Sequence, residues 1–534
     1  MTLDRITRLL ALAVLWLGTA TSVLPAADPD AQVHVLLTRV DDGDAKRAAL
    51  EANPTAHFDT HQDNAYALFQ ERTIPLAGGQ ATDLRPRITI DPTERFQTML
   101  GLGAALTDAS AFVLLDLKAK NPALYDYTME RLFSPTKGAG LSVLRLPMGS
   151  SDYVSGNTYF TYCDTESRDL AAFSITRDEQ YVIPVLKDAL KLNPELRLIG
   201  SPWSPPAWMK TNGVLTGTTE AAKAAGTHCK LKTDCFDVYA AYFVKFVQAY
   251  KAAGIEVYGL TPQNEPQFDM AAYPCLRMDE DDQTRLVKEL GPRLAAAGLS
   301  TRIFVHDHNW SLHPNDRKPV GGDTKLLPID SVTKMLADPV AGKYIAGSAW
   351  HCYFGGVNEM REAYETIHKR FPDKQILTTE ASAWGKNRGA WWGDVEWAMS
   401  HNFLGATQHW SEASLEWNLA LDHKFGPTLR ADSEGVGLVT IVTDGYQDAK
   451  FEREFYAMGQ MSRAARPGAV RIGTAISGSG PEQALDVSAF SLPDGKQSLA
   501  VFNRNPAAVA FQVRSGDHSF SYEIPGRSIA TFVW

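Results

Sequence analysis

The sequence predicts an α/β fold: a (β/α)8 TIM barrel with an attached β-sandwich built from both chain ends. Three observations carry this. Between about residues 97 and 450, eight short apolar segments alternate with longer amphipathic ones, the pattern of a parallel barrel. After about 450 the texture turns to short segments punctuated by turn pairs such as Asp494-Gly495. No glycine-rich nucleotide loop follows the first apolar segment, which argues against a doubly wound sheet, the runner-up.

Residues 1–27 combine a basic start, a short apolar run from Leu9 to Leu17 and small residues up to Ala27. That is the pattern of a secretory signal peptide, and the run falls short of the roughly 20 residues of a membrane span. A retained N-terminal anchor is the alternative. No later segment reads as membrane-crossing, so the mature chain is expected to be secreted or periplasmic without a span. Residues 28–96 are polar with short apolar runs, Val33–Leu37 and Ile88–Ile90, which read as strands joining the sandwich. The barrel, 97–450, takes its strands at 98–104, 142–147, 196–202, 257–262, 301–306, 345–351, 375–379 and 413–418. Amphipathic stretches at 182–192, 236–253 and 281–297 are its clearest helices, the last carrying a Gly291-Pro292 pair that can split or kink it. The C-terminal sandwich, 451–534, takes strands at 470–476, 485–492, 498–503, 508–513 and 529–534.

The 534 residues carry a formal charge of −10, which argues against a nucleic-acid partner. A 44% hydrophobic and 21% charged composition excludes wholesale disorder. Twelve tryptophans, several beside polar residues, suit a cleft in which sugar rings stack on aromatic faces, though a large core uses tryptophan too. Of the five cysteines, Cys229 and Cys235 flank a short polar loop and can form a local disulfide in an oxidising compartment. No Cys-x-x-Cys pair is present, which argues against a structural zinc site.

Active sites of such barrels lie at the C-terminal strand ends, so chemistry is sought there. Strand four ends Leu260-Thr-Pro-Gln-Asn-Glu265-Pro266, and strand seven ends Ile376-Leu-Thr-Thr-Glu380. Two carboxylates across a barrel mouth are what glycoside hydrolysis requires: one protonates the leaving oxygen, the other attacks the anomeric carbon. Either glutamate alone reads equally well as a buried, backbone-bonded residue; the pair at strands four and seven favours the catalytic reading. Asn264, beside Glu265, can hold a sugar hydroxyl. Strand one leads to Asp108, a polar contact or a helix N-cap, and strand two to Arg145, a substrate contact or a buried ion-pair partner. Strand three leads to Trp203, strand six to His351 and Tyr353, and strand eight to Trp417. His306-Asp307-His308 resembles a metal patch, with its histidines on one face of a strand, but no third ligand is evident. No Gly-x-Ser-x-Gly elbow supports a serine hydrolase.

At these residues the chain resembles glycoside hydrolase family 30, which includes acid β-glucosidase (glucosylceramidase) and microbial endo-β-1,6-glucanases. The matching segments are Gly101-Leu-Gly-Ala-Ala-Leu-Thr-Asp108, Leu144-Arg-Leu-Pro-Met148, Gly200-Ser-Pro-Trp-Ser-Pro-Pro-Ala-Trp-Met-Lys-Thr-Asn-Gly213 and Thr261-Pro-Gln-Asn-Glu-Pro266. They continue with Trp350-His-Cys-Tyr353, Thr379-Glu380 and Trp417-Asn-Leu-Ala-Leu-Asp422, in the family's order. The resemblance implies a retaining mechanism with Glu265 as acid/base and Glu380 as nucleophile, and no metal or cofactor. It implies that Asp108, Trp203, Asn264 and Trp417 bind the glucosyl unit and that His351 and Tyr353 neighbour the nucleophile. A raised pKa is then expected for Glu265. One segment departs from the pattern. After Gly426-Pro427 the chain reads Thr-Leu-Arg-Ala-Asp-Ser-Glu-Gly435, without the cysteine-containing loop often found there in microbial β-1,6-glucanases, which leaves the leaving-group side open. Gly138-Ala-Gly-Leu141, Val305-His-Asp-His-Asn-Trp310 and Gly437-Leu-Val-Thr-Ile441 look more like the microbial enzymes and point to β-1,6-glucan as the substrate partner. A glucosylceramidase or exo-β-glucosidase, an inactive carbohydrate-binding protein and a metal hydrolase built on His306 and His308 are the competing readings.

Overall fold

Eight strands of mostly buried residues close a parallel barrel, in the order expected from the sequence. They are Gly101–Ala105, Val143–Pro147, Arg197–Ser201, Gly259–Leu260, Arg302–Asn309, Ile345–His351, Gln375–Glu380 and Ala413–Asn418, called barrel strands one to eight. The computed structural model describes residues 31–39, 70–78, 86–314, 326–382, 391–431, 433, 435–478, 480 and 485–534. The expected signal peptide lies outside the described residues. Among them, no helix is long and apolar enough to cross a membrane.

The barrel interior is layered. Val143, Ile199, Phe304, Ala349, Leu377, Ala413 and Leu415 fill one apolar cluster, inward residues from six of the eight strands. Helices shield the outside. Val182–Leu192 buries Val182, Ile183, Val185, Leu186 and Ala189, one stripe at helical spacing. Glu280–Ala296 starts at Asp279, whose carboxylate accepts from the N–H groups of Asp281 and Asp282. Gly291-Pro292, which can split or kink a helix, does not split this one, and the helix runs through it. Gly291 is there for contact: a Cβ at this position would lie 2.2 Å from the Tyr344 ring.

Both chain ends build the sandwich. Gln32–Arg39 pairs with Ser528–Val533, and Arg87–Thr98 lies between Val470–Ser477 and Val509–Ser515 in a ten-stranded ladder. The ladder folds over on itself, since Phe520 and Phe511 meet Phe532 from a distant part of it at 5.2 and 5.9 Å. Val33, Val35, Ile88, Leu499 and Val501 share that core. Several elements were not anticipated from the sequence, among them the three-stranded sheet of Ala420–Asp422, Val439–Val442 and Asp448–Phe451. His518–Ile524 is a further strand, and Arg453–Ala464 is a helix, buried on nearly every side between barrel and sandwich. Its buried positions include Arg453, Glu454, Gln460 and Ser462, residue types that a pattern reading assigns to a solvent-facing side.

Candidate active site

The upper layer of the barrel is polar, and Arg145 from strand two is its centre. Fully buried, it donates to Glu380 Oε2 at 2.5 Å, Asp307 Oδ2 at 2.8 Å, Asn264 Oδ1 at 2.6 Å and Ser201 Oγ at 3.1 Å. Its guanidinium lies over Trp203, 4.8 Å from the ring centroid. Asp307 receives Thr261 and Thr379 hydroxyls at 2.6 and 2.7 Å and faces His351 Nε2 at 3.1 Å. Such a buried charge is tolerable only because its partners are complete; stripping Arg145 from it would cost about 3–5 kcal/mol.

The two glutamates meet at His351. Its Nδ1 lies 3.6 Å from Glu265 Oε1 and its Nε2 3.9 Å from Glu380 Oε2. His308 Nδ1 approaches Glu265 from another side at 3.5 Å, and the Tyr353 hydroxyl donates to Glu380 Oε1 at 2.9 Å. Glu265 takes a positive φ of 46°, uncommon for a residue with a Cβ. The neighbouring strands hold it there: Glu265 N–H donates to Asp307 O at 3.0 Å, and Asn264 N–H to Pro202 O at 2.8 Å.

A cavity of about 240 Å³ opens above this layer. Asn264, Glu265, Glu380, Tyr353, Trp203 and Trp417 line it, so six of the eight residues that the family resemblance assigns to the site converge. Trp203 and Trp417 stack with centroids 4.9 Å apart. His351 lies behind the wall, bonded as described. Asp108 does not line the cavity either: Ser155 N–H and Oγ donate to it at 2.6 and 2.8 Å, and Arg177 Nε at 2.8 Å. The helix N-cap is Thr107, not Asp108.

Other cavity residues carried no functional reading in the sequence. Asp152, Tyr153, Phe268, Tyr273 and Arg430 line it, with Arg430 3.5 Å from Asp152 and over the Tyr273 ring at 5.0 Å. Arg430, Ser433 and Gly435 bring the segment after Gly426-Pro427 to the wall.

The metal patch does not form as expected. His306 and Asp307 take φ values of +83° and +56°, and strand register shifts between Ala349 and Trp350 alongside. The two rings stay neighbours, with centroids 6.2 Å apart, but turn to different partners: His306 bonds Asn309 O at 3.1 Å and packs on Trp350, while His308 faces Glu265. Among the described residues, donor atoms close enough to hold an ion occur in Glu265–His308–His351 and in Cys229–Asp269–Cys275. In the structure the five cysteines are unbridged, and the Cys229–Cys235 bond that the sequence allows is not made; Cys235 Sγ turns to Asp234 and Cys229 Sγ to Asp269, 3.1 Å away.

The electrostatics differ from expectation. Burial alone pushes Glu265 up, but His308 and His351 outweigh it and hold the carboxyl well below the usual range. Burial pushes Glu380 up, with His351 and Arg145 offsetting only part of it. Burial pushes His351 down, yet Glu380 and Asp307 leave it raised. In the open site, charge therefore sits on Glu265 and a proton on His351 beside it. Asp152 is pushed up to about 7 by burial, against Arg430.

Known proteins match this architecture throughout. The family model for the glycosyl hydrolase family 30 TIM-barrel domain matches residues 99–464, and that for the family's β-sandwich domain matches 468–532. An endo-1,6-β-D-glucanase of Aspergillus fumigatus is 31% identical, covering 86% of this chain and 89% of its own. The lysosomal acid glucosylceramidase of Mus musculus is 29% identical, over 84% of this chain and 83% of its own. Among solved structures, the endo-β1,6-glucanase BT3312 aligns with a TM-score of 0.75 at 29% identity, covering 94% of this chain and 99% of that one. The chain belongs to glycosyl hydrolase family 30 and is a glycoside hydrolase.

Proposed function

We propose that the chain is a secreted enzyme that cleaves β-1,6-glucan within the polymer, with retention, through a covalent glucosyl-enzyme. The observation that carries this reading is the pair Glu265 and Glu380 at one cavity, joined through His351. Glu380, oriented by Arg145 and Tyr353, attacks the anomeric carbon. Glu265 protonates the leaving oxygen and then takes a proton from water. The proton it needs lies 3.6 Å away, on His351. As the substrate displaces water and the glucosyl unit neutralises Glu380, that proton passes to and from the Glu265 carboxyl. Trp203 and Trp417 form the platform for the glucosyl ring. Asn264, with Oδ1 committed to Arg145, offers its Nδ2 to a hydroxyl. Asp108 braces Ser155, next to Asp152 and Tyr153 on the wall.

The choice of glucan over a glucosyl lipid rests on the mouth. The exposed large apolar residues among those described are Phe112, Val214, Leu327 and Val340, and none lines the cavity. Asp152, Arg430 and Ser433 instead offer polar groups to a hydroxylated leaving group. The endo-1,6-glucanase names of relatives support the same reading. The test is the product profile on linear β-1,6-glucan beside a fluorescent β-glucoside. Short gluco-oligosaccharides from the polymer are expected; glucose alone, or turnover of the small glucoside only, would favour exo attack or a glucosylceramide substrate.

The nucleophile sets the acid side of the pH profile. Glu380 attacks only when ionised, and its pKa lies above the ordinary 4.5, so activity falls as pH drops through that raised value. Tyr353→Phe removes a hydrogen bond to the charged form, which raises the pKa further. The acid limb of kcat/KM should then move up by about one pH unit. An unmoved limb would show that it belongs to another group.

A further inference from the structure

Two buried thiols outside the catalytic layer face each other beneath one wall of the cavity. Cys229 precedes the helix Phe236–Ala252, and Cys275 ends the segment that carries Phe268, Met270 and Tyr273 to the cavity. The two sulfurs and an Asp269 oxygen lie within 4.8 Å of one another. The backbones run side by side: the Arg277 N–H donates to Cys229 O at 2.9 Å, and Lys230 and Arg277 form a parallel bridge. Gly217 seals the site, since a Cβ there would lie 2.4 Å from Cys275 Sγ.

We propose that Cys229 and Cys275 are a disulfide pair that ties together the two segments behind this wall. Cys229 is the attacking sulfur. The hydrogen bond from Cys275 and the nearby Lys210 ammonium hold its thiol below the ordinary value despite burial. Cys275, pushed well above that value by burial, is the resolving thiol. The co-reactant is an external low-molecular-weight or protein disulfide. The Cys229 thiolate attacks one of its sulfurs and releases one thiolate. Cys275 loses its proton, attacks Cys229 in the mixed disulfide and releases the second thiolate. Two thiols are oxidised, one disulfide is reduced and two protons are released. Both sulfurs are buried, so exchange takes place while these loops are open, and the finished bond is shielded from reductant.

The other thiols turn to oxygen: Cys163 to Thr165 O, Cys235 to Asp234 and Cys352 to Glu380 O. A divalent cation is the competing occupant of Cys229–Asp269–Cys275. Lys210 argues against it. Its buried Nζ, held by the carbonyls of Leu215, Thr216 and Cys275 at 2.6, 3.0 and 2.8 Å, already places a positive charge there. Asp269 is also committed, to Thr218 N–H at 2.5 Å and His228 Nδ1 at 3.1 Å.

The test uses the unmodified full chain, unfolded with reductant and refolded in a glutathione–glutathione disulfide buffer, then alkylated without reduction and analysed by mass spectrometry and for bound zinc. The expected protein shows an intact mass about 2 Da below the fully reduced form before alkylation. It gives one cross-linked peptide joining Cys229 to Cys275, and three alkylated cysteines. Five alkylated cysteines, a Cys229–Cys235 peptide, or one zinc per chain that is lost in Cys229→Ser would each overturn the proposal.

Discussion

Glu380→Ala loses turnover of β-glucan by roughly 10⁵-fold, about 7 kcal/mol of barrier. The fold survives, because the removed carboxyl leaves Arg145 still paired with Asp307 at 2.8 Å and bonded to Asn264 at 2.6 Å. The space it vacates faces the cavity and admits a small anion. Azide or formate should therefore restore measurable activity on an activated aryl β-glucoside. Attack then comes from the face Glu380 occupied, in one displacement, and the azide product is the inverted α-glucosyl azide. A folded variant that neither azide nor formate rescues would count against Glu380 as nucleophile. A retained azide product would exchange the roles of the two glutamates.

Glu265→Ala separates the two half-reactions. With a poor leaving group, such as the 6-hydroxyl of another glucose, the loss should reach about 10²–10⁴-fold, the usual contribution of a positioned acid. An aryl glucoside that leaves without help should still glycosylate Glu380 quickly, giving a burst followed by slow release. Azide speeds that release without needing a base and gives the retained β-glucosyl azide. The basic limb of the pH profile should vanish as well. An equal loss on both substrates, with no burst, would mean that Glu265 serves only to shape the site.

Much of this was legible in the sequence because strand ends announce themselves. An apolar run that stops at Asn264-Glu265-Pro266 or Thr379-Glu380 has a carboxylate where burial disfavours one, and both runs proved to be barrel strands. The groups around the pair were harder to read. Arg145 reads equally as an ion-pair partner, and it is one, bonded to Asp307 and Glu380 at once. Asp307 passed for the middle of a metal patch. A period of two puts His306 and His308 on one face; with positive φ values at 306 and 307, their nitrogens face different partners, Asn309 O and Glu265. The proton bias of Glu265 follows from two imidazoles at 3.5 and 3.6 Å, a distance no spacing in the sequence encodes. Arg430 has no local pattern either. It gains meaning only because the segment after Gly426-Pro427 folds back over Asp152 and Tyr273.

The most direct test of the retaining pair is proton NMR of linear β-1,6-glucan during the first minutes of hydrolysis. Retention by Glu380 and Glu265 predicts that new reducing ends appear first as the β anomer, with the α anomer growing in later by mutarotation. Reducing ends that appear first as the α anomer would contradict the covalent glucosyl-enzyme, and with it Glu380 as nucleophile and Glu265 as acid/base.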